Sequence, residues 1–382
     1  MTITINNKNK KTNVPNLRFP EFQGEWENMR LDAFTKRVMR KNKSNQSRLP
    51  LTISAQYGLV DQITFFNKVV ASTDLSNYYL LKKGEFAYNK SYSSDYPWGA
   101  IKRLDNYDQG ALSSLYICFA PQDNVVSDFI LQYFESPKWH KGISEIAVEG
   151  ARNHGLLNVA VQDFFHTYHY VPKDKKEQIK ISKLLMLLDE RIATQNKIID
   201  KLQTLIKGIA HKVSKQGKPN IRLSECLLCT SSTLQESDVA EVGAYPVYGA
   251  NGIVGYLETY NTTSEAIYII KDGSGVGAVS CVKGKCSATG TLNILQTKEG
   301  FSLRYLYFIL KVFSFEPYKT GMAIPHIYFK DYGKAKIYCP SNQLQCKYAD
   351  LLSKIEQKAT AEQKILDNLC SQKQYLLCQM FI

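Results

Sequence analysis

The sequence predicts an α+β protein built from two pseudo-repeated globular domains, each followed by a long helix, with the two helices packed on each other as a coiled coil. Three observations carry this expectation. First, residues 178–213 and 345–380 repeat one pattern at a constant offset of 167, which places Gln178 on Gln345, Lys180 on Lys347, Leu184–Leu185 on Leu351–Leu352 and Asp200 on Asp367. Second, both segments space apolar residues in alternating steps of three and four, the pattern of a coiled-coil seam. Third, the punctuation around them recurs: Val171-Pro172 precedes one helix and Cys339-Pro340 the other, and Asn28-Met29-Arg30-Leu31 resembles Asn220-Ile221-Arg222-Leu223.

The elements follow in chain order. Residues 1–25 form a basic N-terminal segment, 26–172 the first domain, 173–215 the central helix, 216–340 the second domain and 341–382 the C-terminal helix. In the first helix the seam runs through Leu185, Leu188, Ile192, Gln195, Ile199 and Leu202; in the second it runs through Leu352, Ile355, Glu362, Leu366 and Leu369. Gln195 and Glu362 interrupt the two seams at equivalent positions, and a polar seam residue fixes register at a cost in stability. Phe165–Tyr170 and Ala335–Tyr338 read as β-like stretches, and Pro172 and Pro340 then break the chain into helix. His166 and His169 are expected on a strand face. The interiors of the two domains share little sequence, so one frame carries two different contents.

Composition bounds the function. The chain has 382 residues, 48 of them basic and 35 acidic, for a formal charge of +13. An apolar fraction of 44%, with 24 Tyr and 17 Phe, supports folded cores rather than disorder. No stretch approaches the roughly 18 uncharged apolar residues of a membrane span. The opening MTITINNKNKKT lacks an apolar region and does not read as a secretory signal. Nine scattered cysteines, an odd number, suit reduced thiols in a cytoplasm rather than a disulfide framework. The first 50 residues hold eleven Lys and Arg against four Asp and Glu, with Lys36, Arg37, Arg40, Lys41 and Lys43 clustered, a composition that suits a polyanion.

Motifs for chemistry are sparse. Lys271-Asp272-Gly273-Ser274-Gly275-Val276-Gly277 follows an apolar run but continues into β-prone residues, so it reads as a hairpin rather than a nucleotide loop, which would open a helix. Cys226-x-x-Cys229 has metal-ligand spacing, yet only Cys281 and Cys286 offer a second pair, and buried thiols are the favoured expectation. There is no GxxxxGK[ST] phosphate loop. A sequence-directed binder is therefore expected over the alternatives, a stand-alone DNA-acting enzyme (nuclease or methyltransferase) or a coiled-coil scaffold.

Four phrases together resemble the specificity (S) subunit of type I restriction–modification systems. They are Leu17-Arg18-Phe19-Pro20-Glu21-Phe22 with Gly24-Glu25-Trp26, the run Lys82 to Asn89, the run Tyr245 to Tyr256, and Leu188-Asp189-Glu190-Arg191-Ile192. The resemblance implies two target-recognition domains joined by two antiparallel helices, each domain reading half of a bipartite, asymmetric site in double-stranded DNA. It implies two methyltransferase (M) subunits and restriction (R) subunits as partners in DNA methylation, at adenine, or cleavage. S-adenosylmethionine, ATP and Mg would then sit on those partners, with no catalytic residue, metal or cofactor in this chain. Base and phosphate readout needs forked donors and amides on loops. The candidates are Lys90, Ser91, Tyr92, Trp98, Lys102, Arg103, Arg152 and Asn153 in the first domain, and Tyr248, Asn251, Lys271, Ser274, Lys319 and His326 in the second.

Overall fold

The structure is a computed structural model and describes residues 4–5, 13–147 and 155–382. Two compact units divide it, one of residues 1–193 with 367–382, the other of residues 194–366. Two helices are long enough to serve both: Lys175–Ser214, of 40 residues, and Asn342–Gln379, of 38. No helix among the described residues is long and apolar enough to cross a membrane.

The first unit layers two four-stranded sheets. One orders Thr35–Arg37, Ile117–Pro121, Phe86–Asn89 and Ala100–Arg103; the other orders Gly58–Asp61, Pro50–Ser54, Gln109–Leu112 and Tyr79–Lys82. Side chains alternate across a strand, so one strand can feed two cores. Phe86, Tyr88, Ile117 and Phe119 turn towards the helices Ser127–Glu135 and Val161–His166, while Ala87 and Cys118 join Leu51, Ile53, Leu81 and Leu112 of the second sheet. The helix-facing core is aromatic: Phe86 stacks on Phe119 with centroids 5.4 Å apart, and Tyr88 on Phe164 at 5.0 Å. Ile181, Leu185 and Leu188 complete it from the central helix, and Leu376, Leu377, Met380 and Phe381 from the other end of the chain.

The second unit repeats the plan with other residues. Its larger sheet orders Leu227–Ser231, Leu292–Thr297, Ala266–Ile270 and Val279–Val282. Ile267 and Ile269 face the helix Leu303–Leu310 with Ile206, Ala210, Ala349 and Leu352 of the long helices, while Ala266 and Tyr268 face the opposite core with Cys286 and Ala288. A three-stranded sheet of Gly252–Leu257, Tyr245–Gly249 and Ser287–Ala288 lies beyond.

Within both units the start of one long helix packs near the end of the other, so the helices run antiparallel. All eleven seam residues read from the sequence are buried or half-buried. The interrupted seam is satisfied internally. Gln195 Nε2 donates to the Glu362 carbonyl at 3.0 Å and to its carboxylate, which also pairs with Lys358. The hydrogen bonds from Lys358 and Gln195 hold the Glu362 carboxyl below its usual range.

The sequence repeat has a mechanical reason. Gln178 Oε1 accepts from the Val126 amide at 2.7 Å and its Nε2 donates to the Pro172 carbonyl at 2.8 Å. Gln345 does the same one repeat later, accepting from the Ser302 amide at 3.0 Å and donating to the Pro340 carbonyl at 2.9 Å. Each glutamine is buried and ties the helix start to the proline before it and to the cap of a domain helix. The frames also close alike: Glu27–Arg30 pairs with Tyr168–Val171, and Ile221–Arg222 with Lys336–Ile337, both antiparallel.

The opening phrase around Trp26 folds as a plug on the central helix. Gly24, at φ +77°, makes a turn that costs a side-chain-bearing residue strain. Arg18 forks onto Glu177 at 2.7 and 2.8 Å, Trp26 Nε1 donates to the same carboxylate at 3.2 Å, and all three side chains are buried. Removing one partner of a buried pair strands the other charge away from water, so Glu177→Ala is expected to cost about 3–5 kcal/mol. Denaturant titration of the full chain checks this; a loss below about 1 kcal/mol contradicts the burial.

One local expectation is corrected. Residues 161–166 form a helix because Phe164 and Phe165 bury together on the aromatic core, so His166 ends a helix and only His169 lies on the strand Tyr168–Val171. The Thr167 hydroxyl donates to the Phe164 carbonyl and so accepts from His169 Nε2 at 2.7 Å, which leaves Nδ1 to accept from Tyr133 at 2.8 Å. Burial pushes this imidazole down to about 3, and it is neutral.

Candidate nucleic-acid interface

In the second unit, the hairpin read from Lys271 to Gly277 joins the antiparallel strands Ala266–Ile270 and Val279–Val282. Backbone bonds gather three segments around it. Ile327 donates to the Lys271 carbonyl at 2.9 Å, Gly273 to Pro325 at 3.0 Å, and Lys271 to Thr291 at 2.9 Å. Thr289 in turn donates to the Tyr248 carbonyl at 2.9 Å. These backbone bonds connect the segments that carry Lys271, Ser274, His326 and Tyr248. Lys271 Nζ and His326 Nδ1 each lie 2.7 Å from the Asp272 carboxylate. Burial acts to raise the Asp272 carboxyl, but hydrogen bonds from Lys271 and His326 outweigh it and hold the group below its usual range. Ser274 is exposed, and Asn251 is exposed at the turn between Gly249 and Gly252. Lys319 pairs with Glu316 at 2.5 Å.

Cys226 is a buried thiol whose Sγ lies 3.4 Å from the Leu223 carbonyl, and burial pushes it up to about 12 and Cys229 up to about 11. Among the described residues no three His, Cys, Asp or Glu side chains gather as metal ligands.

In the first unit, Lys90, Ser91 and Tyr92 leave the strand Phe86–Asn89 and run beside residues 155–157. Tyr92 donates to the Gly155 carbonyl at 3.0 Å, and Leu157 donates to Lys90 at 2.9 Å. Tyr92 is exposed. Arg152 and Asn153 lie outside the described residues. Trp98 is half-buried against the aromatic core, its carbonyl accepting from the Tyr88 hydroxyl at 2.9 Å.

Lys102 and Arg103 are engaged within the domain. Lys102 meets Glu135 at 2.6 Å, and Arg103 reaches Asp105 and Asp128 at 2.7 Å and Ser127 at 3.0 Å. They pin both ends of the helix Ser127–Glu135 to the strand Ala100–Arg103. Arg40 is likewise forked onto Glu85, at 2.8 and 2.7 Å, whereas Lys36 and Arg37 stay exposed on their strand. Sequence reasoning missed an apolar surface patch: Tyr57, Ile63, Phe65 and Phe66 are all exposed, with Phe65 and Phe66 rings 5.0 Å apart. The signal was the adjacent aromatic pair Phe65-Phe66.

Comparison with known proteins agrees with these frames. Residues 226–370 match the family model described as the type I restriction modification DNA specificity domain. The EcoprrI type I restriction enzyme specificity subunit of Escherichia coli is 26% identical over 112 residues, 29% of this chain and 28% of that one. A protein of Haemophilus influenzae named as a type I restriction enzyme specificity subunit is 32% identical over 89 residues, 22% of this chain and 23% of that one. The matches thus span about a quarter of the curated relatives. Across nearly the whole length, the S subunit of a type I restriction–modification system from M. genitalium shares the fold, with a TM-score of 0.63 at 19% identity, covering 97% of this chain and 99% of that one. A chain from a study of complex assembly and conformational transition of the type I R-M system superposes with a TM-score of 0.53 at 14% identity, covering 92% and 96%. The resemblance drawn from the sequence stands.

Proposed function

We propose that this chain is the DNA specificity subunit of a type I restriction–modification complex, each globular domain reading one half of a bipartite, asymmetric site. One observation carries this: two units share the same strand closure and the same buried glutamine clamp while their loops differ. Such a construction suits one task performed on two targets. The chain directs adenine methylation or cleavage performed by its partners and has no chemistry of its own. Two methyltransferase subunits and the restriction subunits supply S-adenosylmethionine, ATP and Mg chemistry, in the cytoplasm. Exposed apolar side chains on the helices support docking of such partners. Ile198 and Leu205 are seven residues apart on one helix, and Leu351 and Ile365 fourteen apart on the other, so each pair shares a face.

Expressing the chain with its methyltransferase partner in a methylation-free host tests the proposal. Sequencing of the modified genome is expected to show one new two-part methylated sequence with an unread spacer. No new methylated sequence, or turnover by the isolated chain with Mg²⁺ or S-adenosylmethionine, contradicts it.

A further inference from the structure

In the second unit, the segment between Lys319 and Ile327 is closed by backbone hydrogen bonds yet carries two apolar side chains that stand exposed. Thr320 and His326 exchange both backbone hydrogen bonds, at 2.9 and 2.7 Å, which closes a five-residue loop. Gly321 sits at φ +86°, and a Cβ there would fall 2.3 Å from the Ile324 carbonyl, so the turn demands glycine. Pro325 accepts from Gly273, and His326 bonds to Asp272, so the loop is tied to the neighbouring hairpin as well. At its tip Met322 is fully exposed and Ile324 is 57% exposed.

A fixed backbone that presents apolar tips to water gains no folding energy from them. Their surroundings suit a polyanion. From Lys319 to Lys336 the chain has four lysines and one aspartate. The His326 ring lies over Tyr328, at 6.5 Å and 22°, and Lys330 lies 5.4 Å from that tyrosine ring. Exposed apolar side chains in a lysine-rich stretch of chain suit duplex DNA, whose grooves expose apolar base edges and thymine methyl groups between phosphates. The lysines that the sequence suggested as contacts are paired here, Lys271 with Asp272 and Lys319 with Glu316.

We infer that Met322 and Ile324 form an apolar reading tip that enters a groove of the half-site recognised by the second unit. The inference rests on the proposed function and adds its specificity-determining residues. The tip contributes contact with bases, while phosphate attraction comes from lysines elsewhere.

The test uses the chain assembled with its methyltransferase partner and a duplex bearing the methylated sequence found for the unaltered complex. Met322→Ala combined with Ile324→Ala is expected to leave thermal unfolding unchanged, because both side chains are exposed. Affinity for the duplex should fall about ten- to hundredfold, the effect of losing roughly half the full burial of two such side chains. The slope of log affinity against log salt should stay the same, since no phosphate contact is removed. Unchanged affinity overturns the inference, and so does loss of the methyltransferase on purification, which would make the tip a protein contact. Absence of any methylated sequence with the unaltered chain overturns the functional proposal itself, and the tip's role with it; an active complex indifferent to the double substitution overturns the tip alone.

Discussion

Removing residues 376–382 is expected to unfold the first unit while leaving the second intact. Leu376, Leu377, Met380 and Phe381 are all buried in the first unit's core, although residues 194–366 of the other unit separate them in sequence from residues 1–193. Phe381 alone meets the rings of Trp26, Phe129 and Tyr133 at 6.5, 5.4 and 5.7 Å. Each such truncation costs about 2–5 kcal/mol, so four together approach the whole stability of a domain, about 5–15 kcal/mol. The milder Phe381→Ala should cost about 3–5 kcal/mol. Hydrogen exchange separates the outcomes: strands such as Phe86–Asn89 should lose protection, while Ala266–Ile270 keeps it. Equal protection in both units would show that the C-terminal residues do not complete this core.

Exchanging residues 28–172 for the matching domain of a relative is expected to replace one half of the recognised sequence completely and leave the other half untouched. The splice points lie side by side, because Asn28 pairs with Tyr170 and Glu27 with Val171. The clamp places little demand on the donor's side chains, since Gln178 holds only the Val126 amide and the Pro172 carbonyl. The donor must still present apolar residues to Ile181, Leu185 and Leu188, as Phe129 and Phe164 do here. Sequencing of methylated positions decides the matter. A change in both halves, or in neither, would contradict a reader that is independent in each unit.

The long helices were legible because a heptad pattern is a local signal repeated many times, and burial followed it at Leu185, Ile199, Leu352 and Leu366. The repeated Gln178 and Gln345 were legible as a coincidence of sequence but not as a clamp, because one partner of each lies 43 to 52 residues away. The interface was harder. Arg103 and Lys102 read as candidate DNA contacts in a loop-like stretch, and their pairing with Asp128 and Glu135 arises only in the tertiary fold. Phe165 looked β-like beside Tyr168 and Tyr170, yet an aromatic core took Phe164 and Phe165 into a helix. Local propensity yields where a packed core offers more. Lys319 and His326 marked the stretch that carries Met322, but its exposure depends on the turn that Gly321 permits.

The closing of the first unit by residues from the chain's far end has a consequence for biosynthesis. The second unit is one uninterrupted stretch, residues 194–366, and is ready to fold soon after it leaves the ribosome. The first must wait for nearly 190 further residues, about 10–40 s at ordinary elongation speeds, with its aromatic surface unsealed. The half made first is thus the half finished last, and during that interval the newborn chain exposes apolar surface that is prone to aggregate.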